Sequence, residues 1–140
     1  MNKLYITLFG LMLCLAACQP AEPKQVNVGT DQCAFCRMTL MSPNFACQTI
    51  TTKGKIYMYD DLKCQLMDEN MKTEKEARFY VANYYNGNEF IAHRDAQFVY
   101  SEELKTPMAG HVAAVKTAEE KNTFIEENGG KLVEINDVFR

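Results

Sequence analysis

Tryptophan is absent from this chain, and histidine occurs only twice, at His93 and His111. No HExxH pair, no Ser/His/Asp arrangement and no glycine-rich phosphate loop can be assembled from its residues, so the sequence reads as a protein that is not an enzyme. Basic charge is also short: 15 Lys and Arg face 18 Asp and Glu, a formal net charge of −3. That sign, with no basic stripe along the chain, argues against a nucleic-acid partner. Long apolar runs are missing too. The stretch Leu4–Leu13 is too short to cross a bilayer, which takes about 18 residues or more. What remains is enough Phe, Tyr, Ile, Val and Leu for a real core.

The chain is rich in sulfur instead. Cys33-Ala34-Phe35-Cys36-Arg37-Met38 places two thiols and a thioether within six residues. Soft sulfur donors select soft metals, Cu(I) above all. The CxxC spacing of Cys33 and Cys36 also fits a redox dithiol or half of a zinc site. A redox motif of the thioredoxin type opens a helix after a strand, whereas here only the short Val26–Thr30 segment precedes it. A Cys₄ zinc site would need a second close pair, and Cys47 and Cys64 are far apart in sequence. Met38 either packs in the core, the commoner fate of methionine, or adds a Cu(I) ligand.

The start of the chain reads as an export signal. Lys3 supplies the positive end, Leu4–Leu13 the apolar core and Leu15-Ala16-Ala17 the small-residue cleavage site. Cys18 follows directly, so the segment resembles a bacterial lipobox with Cys18 as the lipidated residue; an ordinary signal followed by an incidental cysteine is the alternative. Residues 1–17 are then the lipoprotein signal peptide. The polar, proline-bearing segment Gln19–Gln25 predicts a flexible tether, placed at residues 18–30. The mature protein would be held outside the cytoplasm on a bacterial membrane, facing the periplasm, with the lipid bilayer as a partner through Cys18. Four cysteines then remain, Cys33, Cys36, Cys47 and Cys64, and in an oxidising compartment two disulfides are the rival reading.

Periodicity predicts an α+β fold of two successive ββαβ units, over residues 31–88 and 89–140. In the first, Phe45–Thr52 and Lys55–Tyr59 form a hairpin around Lys53-Gly54. A helix from about Asp61 to Lys72 follows on the spacing of Leu62, Leu66, Met67 and Met71, and then a strand, Arg78–Tyr84. Asp60-Asp61 reads as a helix cap and first-turn carboxylates rather than an acid–base pair. In the second, Gln97–Tyr100 and His111–Val115 are strands. Thr117-Ala118-Glu119-Glu120 is a capping box opening a helix that Gly129-Gly130 ends, and Leu132–Ile135 closes the unit. His93, in the polar run Ala92–Asp95, reads as a surface residue. Pro107-Met108-Ala109-Gly110-His111 is a loop entering a strand. Its Met and His are either Cu(I) ligands or ordinary turn residues, one packed inward and one solvated, and the residues alone favour the latter. Cys64 could pack, pair with Cys47 or face a metal.

Taken in order, the lipobox, Cys33-x-x-Cys36-x-Met38, Gly54-Lys55-x-Tyr57, Tyr59-Asp60-Asp61-x-x-Cys64 and Thr106-Pro107-Met108-Ala109-Gly110 resemble the NosL family of copper-binding lipoproteins. The resemblance spans roughly Asp31 to Phe124. It implies a fold of two ββαβ halves, similar to part of the organomercurial lyase fold. It implies a Cu(I) metallochaperone, with Cys33, Cys36, Met38, Met108 and His111 as ligand candidates. Apo nitrous-oxide reductase and a membrane ABC-type maturation complex would be its partners. The alternatives are an extracytoplasmic thiol–disulfide protein using the CxxC pair, or a structural lipoprotein with disulfides and no metal. The chain departs from the family pattern at two places: Arg37 stands where many members have glycine before the Met, and Ala109 stands in a loop that is usually Pro-Met-Gly-Gly.

Overall fold

The computed structural model describes residues 20–69 and 76–138. Among the described residues, seven strands form two antiparallel sheets accompanied by two α-helices: β1 (Cys47–Ile50), β2 (Ile56–Tyr59), α1 (Leu62–Met67), β3 (Arg78–Asn83), β4 (Asn86–Ala92), then β5 (Gln97–Tyr100), β6 (Val112–Val115), α2 (Ala118–Asn128) and β7 (Lys131–Val133). The first sheet has the order β2-β1-β3-β4 and the second β6-β5-β7. In both, the first strand of the unit lies between the second and the third, and the helix crosses from the second to the third. The fold is α+β, and the two halves share a topology.

The hairpin forms because β-formers flank a turn whose Gly54 has φ 79°, with Gly54 N–H bonded to Thr51 O at 2.9 Å. Its register runs from Ile50↔Ile56 at the turn to Cys47↔Tyr59 at the other end. All four residues of β1 are buried, so Gln48 and Thr49 must satisfy their polar groups internally. Gln65 of α1 does part of this, donating to Gln48 O at 2.9 Å and Thr49 Oγ1 at 3.1 Å. Helix α1 starts at its Asp61 cap. It ends sooner than the spacing of Leu62, Leu66, Met67 and Met71 predicts, because Asp68 leaves helical geometry and accepts the Tyr59 hydroxyl at 2.9 Å. Residues 70–72 of that expected helix lie outside the described residues, as do the signal peptide and Cys18. Helix α2 has both bonds of the capping box between Thr117 and Glu120.

Three features depart from the sequence reading. Strand β4 went unpredicted because Asn86-Gly87-Asn88-Glu89 has the composition of a turn. It is a strand because the Tyr84-Tyr85 turn folds it back on β3, and a Cβ at Gly87 would stand 2.8 Å from the Pro43 carbonyl carbon. It also crosses the boundary placed at 88/89, so the first sheet extends to Ala92.

His93 is not a free surface residue. Its Nε2 lies 2.9 Å from Gln65 Oε1 and its ring lies between Phe79 and Phe98. Burial pushes its pKa down to about 4.

The segment expected to be a flexible tether is docked. Lys24 N–H donates to Gln48 Oε1 at 3.0 Å, the Gln48 amide donates back to Lys24 O, and Arg78 donates to Ala21 O. Two prolines keep this stretch extended, which lets its backbone satisfy the buried Gln48.

Candidate metal centre

The CxxC motif sits in a closed loop. Gln32 bridges Thr39, Cys33 N–H bonds to Met38 O at 2.8 Å, and Leu40 N–H bonds to Asp31 O at 2.8 Å. Ala34 N–H then ties the loop to Met58 O on β2 at 2.7 Å. Tying the loop there brings it to the end of β2, where the chain turns into α1. Asp60 lies just before the helix cap, and Cys64 is in the first turn, one helical turn further on. Among the described residues, one ligand atom from each of Cys33, Cys36, Asp60 and Cys64 lies within 4.8 Å of all the others. Cys33, Asp60 and Cys64 are buried, while Cys36 is partly open.

The thiol of Cys36 donates to both oxygens of Asp60 at 3.7 Å. Burial pushes the Cys33 thiol up, while backbone N–H groups of Cys36, Asp60 and Phe35 directed at it pull the other way. Burial pushes the Cys64 thiol up further, helped by Cys33 and Asp60. Cys33 and Cys64 are therefore held protonated, with backbone donors already aimed at the Cys33 sulfur that would carry charge when a metal replaces its proton. None of Cys33, Cys36, Cys47 and Cys64 is disulfide-bonded. Cys47 lies outside the cluster, fully buried, with its thiol turned to Phe45 O at 3.5 Å.

The remaining sequence candidates are Met38, Met108 and His111. Met38 is 55% exposed, at the rim of the loop. Met108 is half-buried against the same apolar core that holds Cys33 and Cys64. Its loop is fastened to the start of α1 by Asp61, whose Oδ1 caps Lys63 N–H at 2.8 Å and whose Oδ2 accepts Met108 N–H at 3.0 Å. His111 is half-buried with Nδ1 2.7 Å from Leu104 O, and Thr106 Oγ1 accepts the N–H of both Gly110 and His111. Sequence reasoning passed over Asp60 and left Cys64 open. The signal that could have found them is the strand-to-helix switch at Asp60, which places Cys64 at the end of the hairpin that the CxxC loop closes.

A family model for NosL matches residues 24–140. The chain belongs to the NosL family. No curated protein sequence matches it. Among solved structures, the crystal structure of the copper chaperone NosL from Shewanella denitrificans is similar in fold, with a TM-score of 0.70 and 22% identity. That match covers 86% of this chain and 97% of that one. In this NosL-family chain Arg37, Ala109 and His111 fall on left-handed backbone, at φ 66°, 52° and 58°. Glycine adopts that conformation freely and residues with a Cβ adopt it at a cost.

Proposed function

We propose that this protein is a copper chaperone that holds Cu(I) on Cys33, Cys36 and Cys64. The observation that carries the reading is the convergence of three thiols, two buried and one open, at one end of the first sheet. Cu(I) is satisfied by two or three thiolates. Asp60, a hard donor poorly matched to Cu(I), takes the proton-acceptor role beside Cys36. The half-exposed Cys36 and the exposed Met38 give an incoming partner a place to add its own ligand before the ion leaves. Met108 is the next thioether available, on a loop fixed by Asp61. Lipid attachment at Cys18 would keep the chaperone on the periplasmic face of a bacterial membrane, beside an ABC-type assembly, for delivery to apo nitrous-oxide reductase.

The carboxylate favours one competing ion. Three sulfurs and one oxygen make a tetrahedral donor set suited to Zn²⁺. Anaerobic titration of the reduced protein against a Cu(I) chelator, with and without excess Zn²⁺, tests both. Cu(I) should win. Cys64→Ser and the double variant Cys33→Ser/Cys36→Ser should each weaken Cu(I) binding by tenfold or more, about 1.4 kcal/mol, and Met38→Ala by less. Unchanged affinity in both thiol variants would sink the assignment. Zn²⁺ displacing Cu(I) would replace it.

A further inference from the structure

The residues at 20–25 leave the domain at one defined end. A Cβ at Gly54 would lie 3.6 Å from the Ala21 side chain, and Arg78 holds both Ala21 O and the carboxylate of Glu22. Arg78 pairs with Ile50, beside the Thr51–Lys55 turn. Cys18 is three residues from Ala21, a reach of at most about 10 Å. The thiol cluster lies at the opposite end of the same hairpin: from Gly54 to Asp60 the chain rises about 20 Å.

Charge is unevenly distributed along the same direction, although Arg37 and Lys63 stand beside the thiol cluster. Among the described residues, Lys53, Lys55, Arg78 and Arg94 stand at the turn end and Lys24 part-way along β1 beside Gln48, opposed by Glu22, Glu76 and Asp95, of which Glu22 and Asp95 pair with Arg78 and Arg94. At the far end of β3, Asn83 donates to Glu89 of β4, which pairs with Lys116, and to Glu120 of α2, and Tyr85 donates to Glu127 of α2, a helix that carries Glu119, Glu120, Glu126 and Glu127 against Lys121.

We propose that the Thr51–Lys55 turn with the docked residues 20–25 is a membrane-facing surface that rests on anionic phospholipid, so that the thiol cluster points away from the bilayer. This rests on the reading of Cys18 as a lipid anchor. A short docked leash, rather than a long flexible one, converts an anchor into an orientation. The basic turn then meets lipid phosphates while the acidic helix is turned outward, and a chaperone held this way presents its cargo to soluble partners rather than to the lipid surface.

The test uses the full chain, purified from bacterial membranes and reconstituted in vesicles of phosphatidylglycerol and phosphatidylcholine. A short pulse of amine acetylation is read residue by residue by mass spectrometry, against the soluble full-length Cys18→Ser protein. Lys24, Lys53 and Lys55 should lose reactivity severalfold, while Lys105, Lys121 and Lys131 stay unchanged and Cys36 still reacts with a thiol probe. The exposed-turn variant Lys53→Glu/Lys55→Glu should lose the protection of Lys24. Intact mass separates the two ways of failing. A chain without acyl groups overturns both the anchor and this orientation. An acylated chain with uniform lysine reactivity overturns the orientation alone, and protection that persists in pure phosphatidylcholine overturns the anionic surface.

Discussion

Arg37 and Ala109 occupy left-handed backbone, at φ 66° and 52°, where a side chain costs roughly 1–2 kcal/mol. Glycine removes that cost but enlarges the freedom of the unfolded chain, which offsets about 0.4–1 kcal/mol. Arg37→Gly and Ala109→Gly should therefore each stabilise the protein by about 0.5–1 kcal/mol, read as a higher urea midpoint with an unchanged slope. Unchanged or lower midpoints would mean that the Arg37 side chain or the Ala109 methyl makes a contribution that outweighs the backbone cost. Both residues flank candidate sulfur ligands, so the same variants ask whether stiffness or freedom in these loops sets copper affinity.

At the scale of elements, Thr117 and Glu120 satisfy each other's backbone N–H groups, and Glu120 also accepts from the Asn83 side chain at 3.0 Å. Thr117→Ala should cost about 1 kcal/mol in urea unfolding. Glu120→Ala should cost more, since it also removes one of the two acceptors of the buried Asn83 amide, leaving Glu89 as the other. Asp61 likewise serves two elements, capping α1 and holding the Met108 amide. Asp61→Ala should lower stability by about 1–2 kcal/mol and, if Met108 is a ligand, weaken Cu(I) binding as Met108→Ala does.

The elements that were legible in the sequence were those whose signals are local. The capping box marked α2 and the Lys53-Gly54 turn marked the β1–β2 hairpin within a few residues. β4 was illegible because pairing with β3, not composition, makes it a strand. The CxxC pair was visible from spacing. Asp60 and Cys64 join it only through the closure of the 32–39 loop against Met58, a tertiary contact with no sequence period. His93 was misread for the same reason: its partners, Gln65, Phe79 and Phe98, come from three other segments.

For the whole molecule, His93 links stability to acidity. Its pKa in the folded state is about 4, against an ordinary value of 6.5, so the unfolded chain takes up the proton first as pH falls. The contribution is complete above pH 6.5 and is lost progressively towards pH 4, by up to about 3 kcal/mol. Urea unfolding between pH 7 and 5 should show this decline, and His93→Gln should flatten it. A slope that the variant retains would place the acid sensitivity elsewhere. Among the described residues no helix is long and apolar enough to cross a membrane.

The bond pair between Lys24 and Gln48 decides where the domain can be cut. Gln48 is fully buried, and its backbone carbonyl is held by Gln65, which sits next to Cys64 and also meets His93. A soluble version begun at residue 31, after the whole apparent linker, would strip Gln48 of both partners of its amide and leave a hole in a polar network that runs to the helix carrying a thiol. Such a version should be less stable by about 1–3 kcal/mol for each unmet group, and its metal affinity would be measured on a perturbed helix. One begun at residue 19 or 20 keeps the network whole, so the practical start of this domain lies immediately after Cys18.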